Sequence, residues 1–327
     1  MSVNPSSGAG RSYASAVLSL LDRRLVVVTG KGGAGKTTVA AALALARTRA
    51  GGRAIVCEVG GGESVSRAFG RRPAGHVETE LSPGLWAISL EPRAALAEYL
   101  RDRLGSSTVS GLLFENRLFQ SLADATPGLR EMVTMGKVWE LAQPERRSDG
   151  ASAYDLVVLD APATGHALGL LGAPSTFREV ASAGPVHRQA EIIGGLISDP
   201  SRTAVVAAAL PEETPVNETL ELSAQLRDEL GVELRQVVVS GLIPERFERS
   251  EVARIEASLS ADGASPATDA LRQALADHGR ALEQGRQVER LREALGDDAV
   301  LTLPRLADGA LDRSTLERLS QALERAR

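Results

Sequence analysis

An α/β fold with a doubly wound, mostly parallel sheet is what this chain predicts, and three observations carry the prediction. Seven short segments are β-branched or continuously apolar, helix-length stretches separate them, and the first is followed at residues 30–38 by GKGGAGKTT. Continuously apolar strands belong in a parallel sheet covered on both faces. Helices lying between successive strands supply the covers.

In order along the chain, residues 1–12 are rich in Ser, Gly and Asn and read as a disordered tail. A short helix over 14–21 leads into the first strand, LVVVT at 25–29, and the helix after GKGGAGKTT is expected over 39–50. Further strands are expected at Ala54–Val59, Leu85–Leu90, 155–160, 203–210, 236–240 and 299–303. Two intervals are too long for simple crossovers. Residues 92–144 read as helical, with breaks at 105–111 and 126–128, and carry Tyr99, Phe114, Phe119, Met132, Met135 and Trp139. Residues 247–295 are charged and helical, with Leu271, Leu275, Leu282, Leu291 and Leu295 at recurring apolar positions. Both are read as helical insertions forming a helical subdomain on one sheet. Residues 13–327 are therefore expected to be a single domain.

Within GKGGAGKTT the pattern G-x-x-x-x-G-K-[ST] falls on Gly30, Gly35, Lys36 and Thr37, between a strand and a helix. The backbone of Gly30, Gly32, Gly33, Ala34 and Gly35 can fold close to a polyphosphate and aim its N–H groups inward. The N-terminus of the helix that follows Lys36, Thr37 and Thr38 adds the positive end of its dipole. Lys36 is expected to reach the terminal phosphates of ATP and the Thr37 hydroxyl to ligate Mg²⁺. The bland alternative is a glycine-rich turn, against which the motif, its flanks and its lysine agree. The fold expected is that of P-loop NTPases. A second apolar strand, LVVLD, ends in Asp160, in the arrangement that holds the Mg²⁺ hydration shell opposite the threonine. Gly165 and His166 follow, where a loop can rearrange with phosphate state. His166 is read either as a reporter of that state or as a structural histidine.

Hydrophobic residues make up 43% of the 327 and charged residues 24%, ordinary for a globular chain. Net charge is −5 with no basic block, so neither a nucleic acid nor an anionic membrane surface is indicated as partner. The apolar runs are strand-length, too short to span a bilayer. Residues 14–21 lack the basic leader and small-residue cleavage site of a secretory signal. Cys57 is the lone cysteine, which excludes an internal disulfide and a cysteine-pair zinc site. A cytoplasmic location fits these features.

One further lysine, Lys31, stands directly after Gly30. Loops of the form G-K-G-G-x-G-K-T-T resemble the deviant Walker class of ATPases. The stretch DAPATGHALGLL from Asp160, with TPGLREMVTMGKVWELAQ (126–143), GPVHRQAE (184–191) and ALPEETPVNETLEL (209–222), resembles the arsenite-transporting and tail-anchored-protein-targeting ATPases, in their single-domain bacterial form. The resemblance runs over roughly residues 20–311. It implies a dimer, of like subunits or of two related ATPases, in which Lys31 reaches the partner's nucleotide. It also places adenine near the loop holding Ser240, where an asparagine is usual, and near Pro304, Arg305 and Leu306. Pro304 reads equally well as a plain strand-ending proline.

The family's water-orienting aspartate falls, by this resemblance, on Gly60. Glu58 or Glu63 can substitute if the three glycines between them shift the loop; the equal alternative is that neither carboxylate acts. An aspartate restored at position 60 is expected to raise turnover. With Cys57 alone, the resemblance implies no zinc, no iron–sulfur cluster and no metalloid site. A client protein is implied without its identity. Met132, Met135 and Trp139 share a helical stripe that reads first as core and second as a client surface.

Overall fold

The computed structural model of the chain describes residues 19–73, 75–104, 126–146, 153–261, 265–305 and 311–325. The expected tail at 1–12, the expected break at 105–111, Phe114, Phe119 and Leu306 lie outside the described residues. The first half of the fold comprises β1 (Leu25–Gly30), α1 (Lys36–Arg49), β2 (Ala54–Val59), α2 (Ser64–Ala68), β3 (Thr79–Ser82), β4 (Leu85–Leu90), α3 (Pro92–Leu104) and α4 (Leu129–Leu141). After these come β5 (Leu156–Asp160), α5 (Thr164–Val180), α6 (Pro185–Ser198), β6 (Thr203–Ala209), α7 (Glu213–Leu230) and β7 (Leu234–Leu242). The remainder is α8 (Arg249–Ala261), α9 (Pro266–Leu295), a 3₁₀ turn at Asp297–Ala299, β8 (Val300–Pro304) and α10 (Arg313–Arg325).

The strands form an eight-stranded sheet in the order β3-β4-β2-β5-β1-β6-β7-β8. Every pairing is parallel except β3 against β4. Alternation along each strand divides the core in two. Leu25, Val27, Cys57 and Leu159 face a layer made by α4, α5, α6, α7 and α9. Val26, Val28, Val56 and Val158 face the opposite layer of α1, α2 and α10. This is the doubly wound arrangement, and it explains why most of the strands read as largely apolar runs. At about 1.5–3 kcal/mol per fully buried aliphatic side chain, burial on two faces outweighs any local preference of these segments.

Two helices show how the layers are built. In α1 the consecutive residues Val39 to Ala46 are all buried. Alanine is the strongest helix former and the smallest side chain with a Cβ, so α1 can lie tightly between the sheet and α10. In α9 the cap is reciprocal: the Ser265 side chain accepts from Thr268 N–H while the Thr268 hydroxyl accepts from Ser265 N–H.

Several expectations are corrected. The helix after the glycine loop begins at Lys36 and not at residue 39, because its first turn is polar and carries no apolar periodicity. The antiparallel β3, TELS, escaped notice because four mostly polar residues at a sheet edge show neither a run nor a clean alternation. β7 starts earlier and ends later than its apolar middle, with partly exposed residues at both ends. Leu282, expected on an apolar face of α9, is exposed.

Candidate functional site

The C-terminal edge of the sheet brings the chemistry together, as parallel α/β sheets do. Asp160 at the end of β5 stands in register with Val28 of β1 on one side and Glu58 of β2 on the other. The glycine loop leaves β1 beside them. Its first residue must be glycine: Gly30 has φ 135°, and a Cβ there would lie 2.1 Å from the Ala208 carbonyl oxygen of β6. At the loop's end Gly35 is left-handed, with φ 87°, and its carbonyl accepts from Val39 N–H to start α1. Gly32 and Gly33 are exposed, and Ala34 is buried beneath them.

Lys36, Thr37 and Asp160 converge. The Lys36 ammonium folds back onto the Lys31 carbonyl at 3.2 Å. The Thr37 hydroxyl donates to Asp160 Oδ2 at 2.6 Å, across 123 positions of sequence. Asp160 is 8% exposed, and its other oxygen, Oδ1, is buried with no partner. Burial pushes its carboxyl above the ordinary carboxylate range, against the pull of the Thr37 hydrogen bond and the Lys36 charge. Thr38 is half-buried in the same turn. The segment leaving Asp160 is tied to β1 twice, by Thr29 Oγ1 to Pro162 O at 3.0 Å and Ala161 N to Val28 O at 2.9 Å. His166, two residues into α5, is exposed.

The other predicted residues have partners that no linear reading exposed. Lys31 pairs with Glu218 of α7 at 2.8 Å, both side chains part-exposed. Glu58 is buried, and its Oε1 accepts the N–H of Ser64 at 2.7 Å and of Val65 at 3.3 Å, capping α2. Burial raises its proton affinity, opposed by those two N–H groups and assisted by the charges of Asp160 and Glu63. Glu63 turns elsewhere: its Oε1 accepts from Gly75 N–H at 2.9 Å. Gly60 has φ 94°, with open space where a Cβ would stand.

On the far side, the Ser240 hydroxyl donates to Ala34 O at 3.3 Å, so its single donor is spent on the glycine loop. Pro304 pairs with Leu242, and Arg305 N–H donates to Leu242 O at 2.9 Å, which sets the two expected adenine segments side by side. Gln284 of α9 pins the same region through Ile243 N–H to Oε1 at 2.8 Å. A glutamine on a charged helix offers no sequence signal of that role.

A second concavity lies among α3, α4, α5 and α6. It has a volume of about 220 Å³, its walls are apolar (Leu96, Met132, Val133, Phe177, Ile193), and Glu98, Lys137 and Glu140 also line it. Met132 and Met135 are buried in the core, so the stripe is core first, with Met132 also facing the concavity. Cys57 is buried in β2, which pushes its thiol far above the ordinary range.

The arrangement can grip a polyphosphate between backbone N–H groups, a lysine and a helix N-terminus. The residues also fit a hydrated Mg²⁺. A buried carboxylate oxygen without a donor is costly, and a cation beside Thr37 and Asp160 would satisfy it. Among the described residues no three His, Cys, Asp or Glu side chains converge on one point.

A family model described as anion-transporting ATPase matches residues 23–188. That span contains the glycine loop, Glu58, Glu63 and Asp160, whereas Ser240 and Pro304 lie beyond it. The chain is 32% identical over 248 residues to ATPase BagA of Mycobacterium tuberculosis, covering 73% of this chain and 71% of that protein. It is 25% identical over 285 residues to ATPase GET3C of Arabidopsis thaliana, covering 72% and 71%. With ATPase ARSA1 of Chlamydomonas reinhardtii it shares 24% identity over 281 residues, 68% of this chain and 35% of that longer protein.

Proposed function

This chain belongs to the anion-transporting ATPase family, and from that membership we propose a Mg²⁺-dependent ATP hydrolase that dimerises around nucleotide and couples ATP state to the handling of a protein or membrane-associated client. The observation that carries it is the meeting of Thr37 with Asp160 beside Lys36, with Asp160 Oδ1 buried and unpartnered. Residues 13–327 act in this reading as a single ATPase domain. The lone cysteine and the acidic, block-free charge support a cytoplasmic setting. Among the described residues no helix is long and apolar enough to cross a membrane.

Lys36 and the loop N–H groups hold the terminal phosphates, and Thr37 and Asp160 would hold Mg²⁺, Asp160 by way of a water. When bound, Mg²⁺ supplies positive charge to the phosphate oxygens. Glu58 is the carboxylate we assign to the attacking water. It stands beside Asp160, spends only Oε1 on α2, and is made more basic by burial. Water loses a proton to Glu58 and its oxygen bonds to the γ-phosphorus, while the bridging oxygen leaves with ADP. The adenine end rests on the segments at Ser240 and at Pro304–Arg305, with Gln284 behind them. Lys31, freed from Glu218, reaches the partner's phosphates, in a homodimer or beside a related ATPase. The apolar concavity among α3 to α6 supports client handling.

Calorimetry tests the site. Lys36→Ala is expected to abolish tight Mg-ATP binding, and Asp160→Ala to weaken the Mg²⁺ dependence more than binding itself. Unchanged affinity in both variants would overturn the assignment. A second reading, a slow subunit that acts mainly as a nucleotide-dependent interaction module or beside a catalytic relative, is favoured by Gly60 and by the engaged carboxylates of Glu58 and Glu63. Single-turnover release of phosphate from bound ATP separates the two.

A further inference from the structure

Glu63 is the non-glycine residue with positive φ among the described residues, at 45°, and it precedes the first turn of α2. A side chain in that region is held there by its surroundings, and such strain collects at moving parts. Two contacts do the holding. Gly75 N–H donates to Glu63 Oε1 at 2.9 Å, and the Arg67 guanidinium donates to the neighbouring Gly62 carbonyl. On its other side the loop is anchored by Glu58, the register partner of Asp160.

From Gly75 the contacts continue without a gap to the apolar concavity. Ser89 N–H of β4 donates to Gly75 O at 2.8 Å. The next residue, His76, accepts from Glu91 N–H through Nδ1 at 3.3 Å, immediately before α3. Its proton is therefore on Nε2, which donates to Glu98 Oε2 at 3.3 Å. Glu98 Oε1 accepts from Lys137 at 2.7 Å, and Lys137 donates also to Glu140 at 3.1 Å. Glu98, Lys137 and Glu140 line the concavity.

Resting on the nucleotide reading of the β1–α1 loop, we propose that Glu63 is a positioning residue: a strained tether that reports nucleotide state from the Asp160 end of the sheet to the wall of the α3–α6 concavity. Without nucleotide its carboxylate holds Gly75 and, through His76, the start of α3. When phosphates draw the 60–63 loop inward, Glu63 relaxes from φ 45° and releases Gly75. Because β4 and α3 are packed elements with discrete arrangements, a released hydrogen bond shifts them as units.

Hydrogen exchange followed by mass spectrometry over residues 75–104 tests the tether, with and without a non-hydrolysable ATP analogue plus Mg²⁺. In the native chain the analogue is expected to speed exchange across 75–104. Glu63→Ala should exchange fast in both states, losing the nucleotide response, while calorimetry shows the analogue still bound and no more weakly than by the native chain. Glu63→Gly removes strain and acceptor together and should behave as Glu63→Ala. Glu63→Gln keeps an oxygen acceptor for Gly75 and should restore the response, which a merely structural role would not predict. If the analogue binds and exchange does not change, or if Glu63→Ala keeps the response, the tether is overturned. If the native chain does not bind the analogue, the nucleotide reading itself has failed.

Discussion

Glu58, Gly60 and Glu63 lie within six positions of one another, yet the backbone gives each a different task. Glu58 is fixed by strand register beside Asp160, Gly60 carries a positive φ, and Glu63 turns away toward Gly75. If Glu58 takes the proton from water, Glu58→Gln should lower the rate of the chemical step by about 10²–10⁴-fold. Rapid-quench measurement on bound ATP would show this with affinity little changed; an undiminished rate would remove Glu58 from the mechanism. Gly60→Asp has room for its side chain but not an easy backbone. Its cost is roughly 1–3 kcal/mol, so any gain in turnover should come with a lower urea midpoint. A gain with no loss of stability would mean that the loop does not hold φ near 94° in solution.

Among the elements, α4 ties the helical layer to the sheet. It packs against α3, α5 and α6, and its Met135 is fully buried beneath the sheet. Truncation there leaves a cavity that the surrounding layer cannot close, because strands and helices hold it on several sides. Met135→Ala is expected to cost about 2–5 kcal/mol, read as a shift in the urea midpoint with an unchanged slope. A shift under about 1 kcal/mol would show that the layer collapses onto the gap. α1 makes the converse point. Its buried alanine face is set by the closeness of α10, whose Leu316, Leu319 and Leu323 are buried in the same layer.

At the scale of the whole molecule, charge ties the residue before the edge strand β3 to α3 and α4. Arg146 donates to Glu78 and Glu140, Tyr154 donates to Glu78, and Lys137 bridges Glu98 and Glu140. Glu98 is held at about 2, below its ordinary 4.5: burial works to raise it, and the hydrogen bonds from His76 and Lys137, with the Lys137 charge, overcome that. A carboxylate with a depressed folded value adds stability that is complete above its unfolded value and is lost as pH falls through the folded one. The melting temperature should therefore drop between about pH 4.5 and 2, and Glu98→Gln should show a shallower acid limb in calorimetry. Identical limbs would mean that the network contributes nothing. Assembly is the other property at this scale. Charge-assisted contacts to phosphate are worth about 1.5–3 kcal/mol each, and a symmetric dimer would make two through Lys31. Lys31→Ala should leave monomer binding of ATP intact and loosen the closed dimer. Sedimentation showing normal dimerisation with an ATP analogue would contradict this.

Local chemistry wrote the parts that the sequence determined by itself. Strands Ala54–Val59 and Leu85–Leu90 are legible to the residue, since burial on both faces leaves a nearly continuous apolar run, interrupted by Glu58 in one and Ser89 in the other. The glycine loop is legible because positive φ and close approach to β6 demand glycine, and the lysine follows at the spacing of a recognised motif. Tertiary structure alone decided the rest. The edge strand β3 has no apolar signal of its own and exists because β4 offers it a hydrogen-bonding edge. Lys31 finds Glu218, and Glu98 finds Lys137, because sheet order and helix packing bring distant residues within reach. The division of labour between Glu58 and Glu63 is likewise invisible in EVGGGE. Which carboxylate faces Asp160 depends on strand register and on the path of a glycine loop, and a path through space is set by packing across the whole sheet.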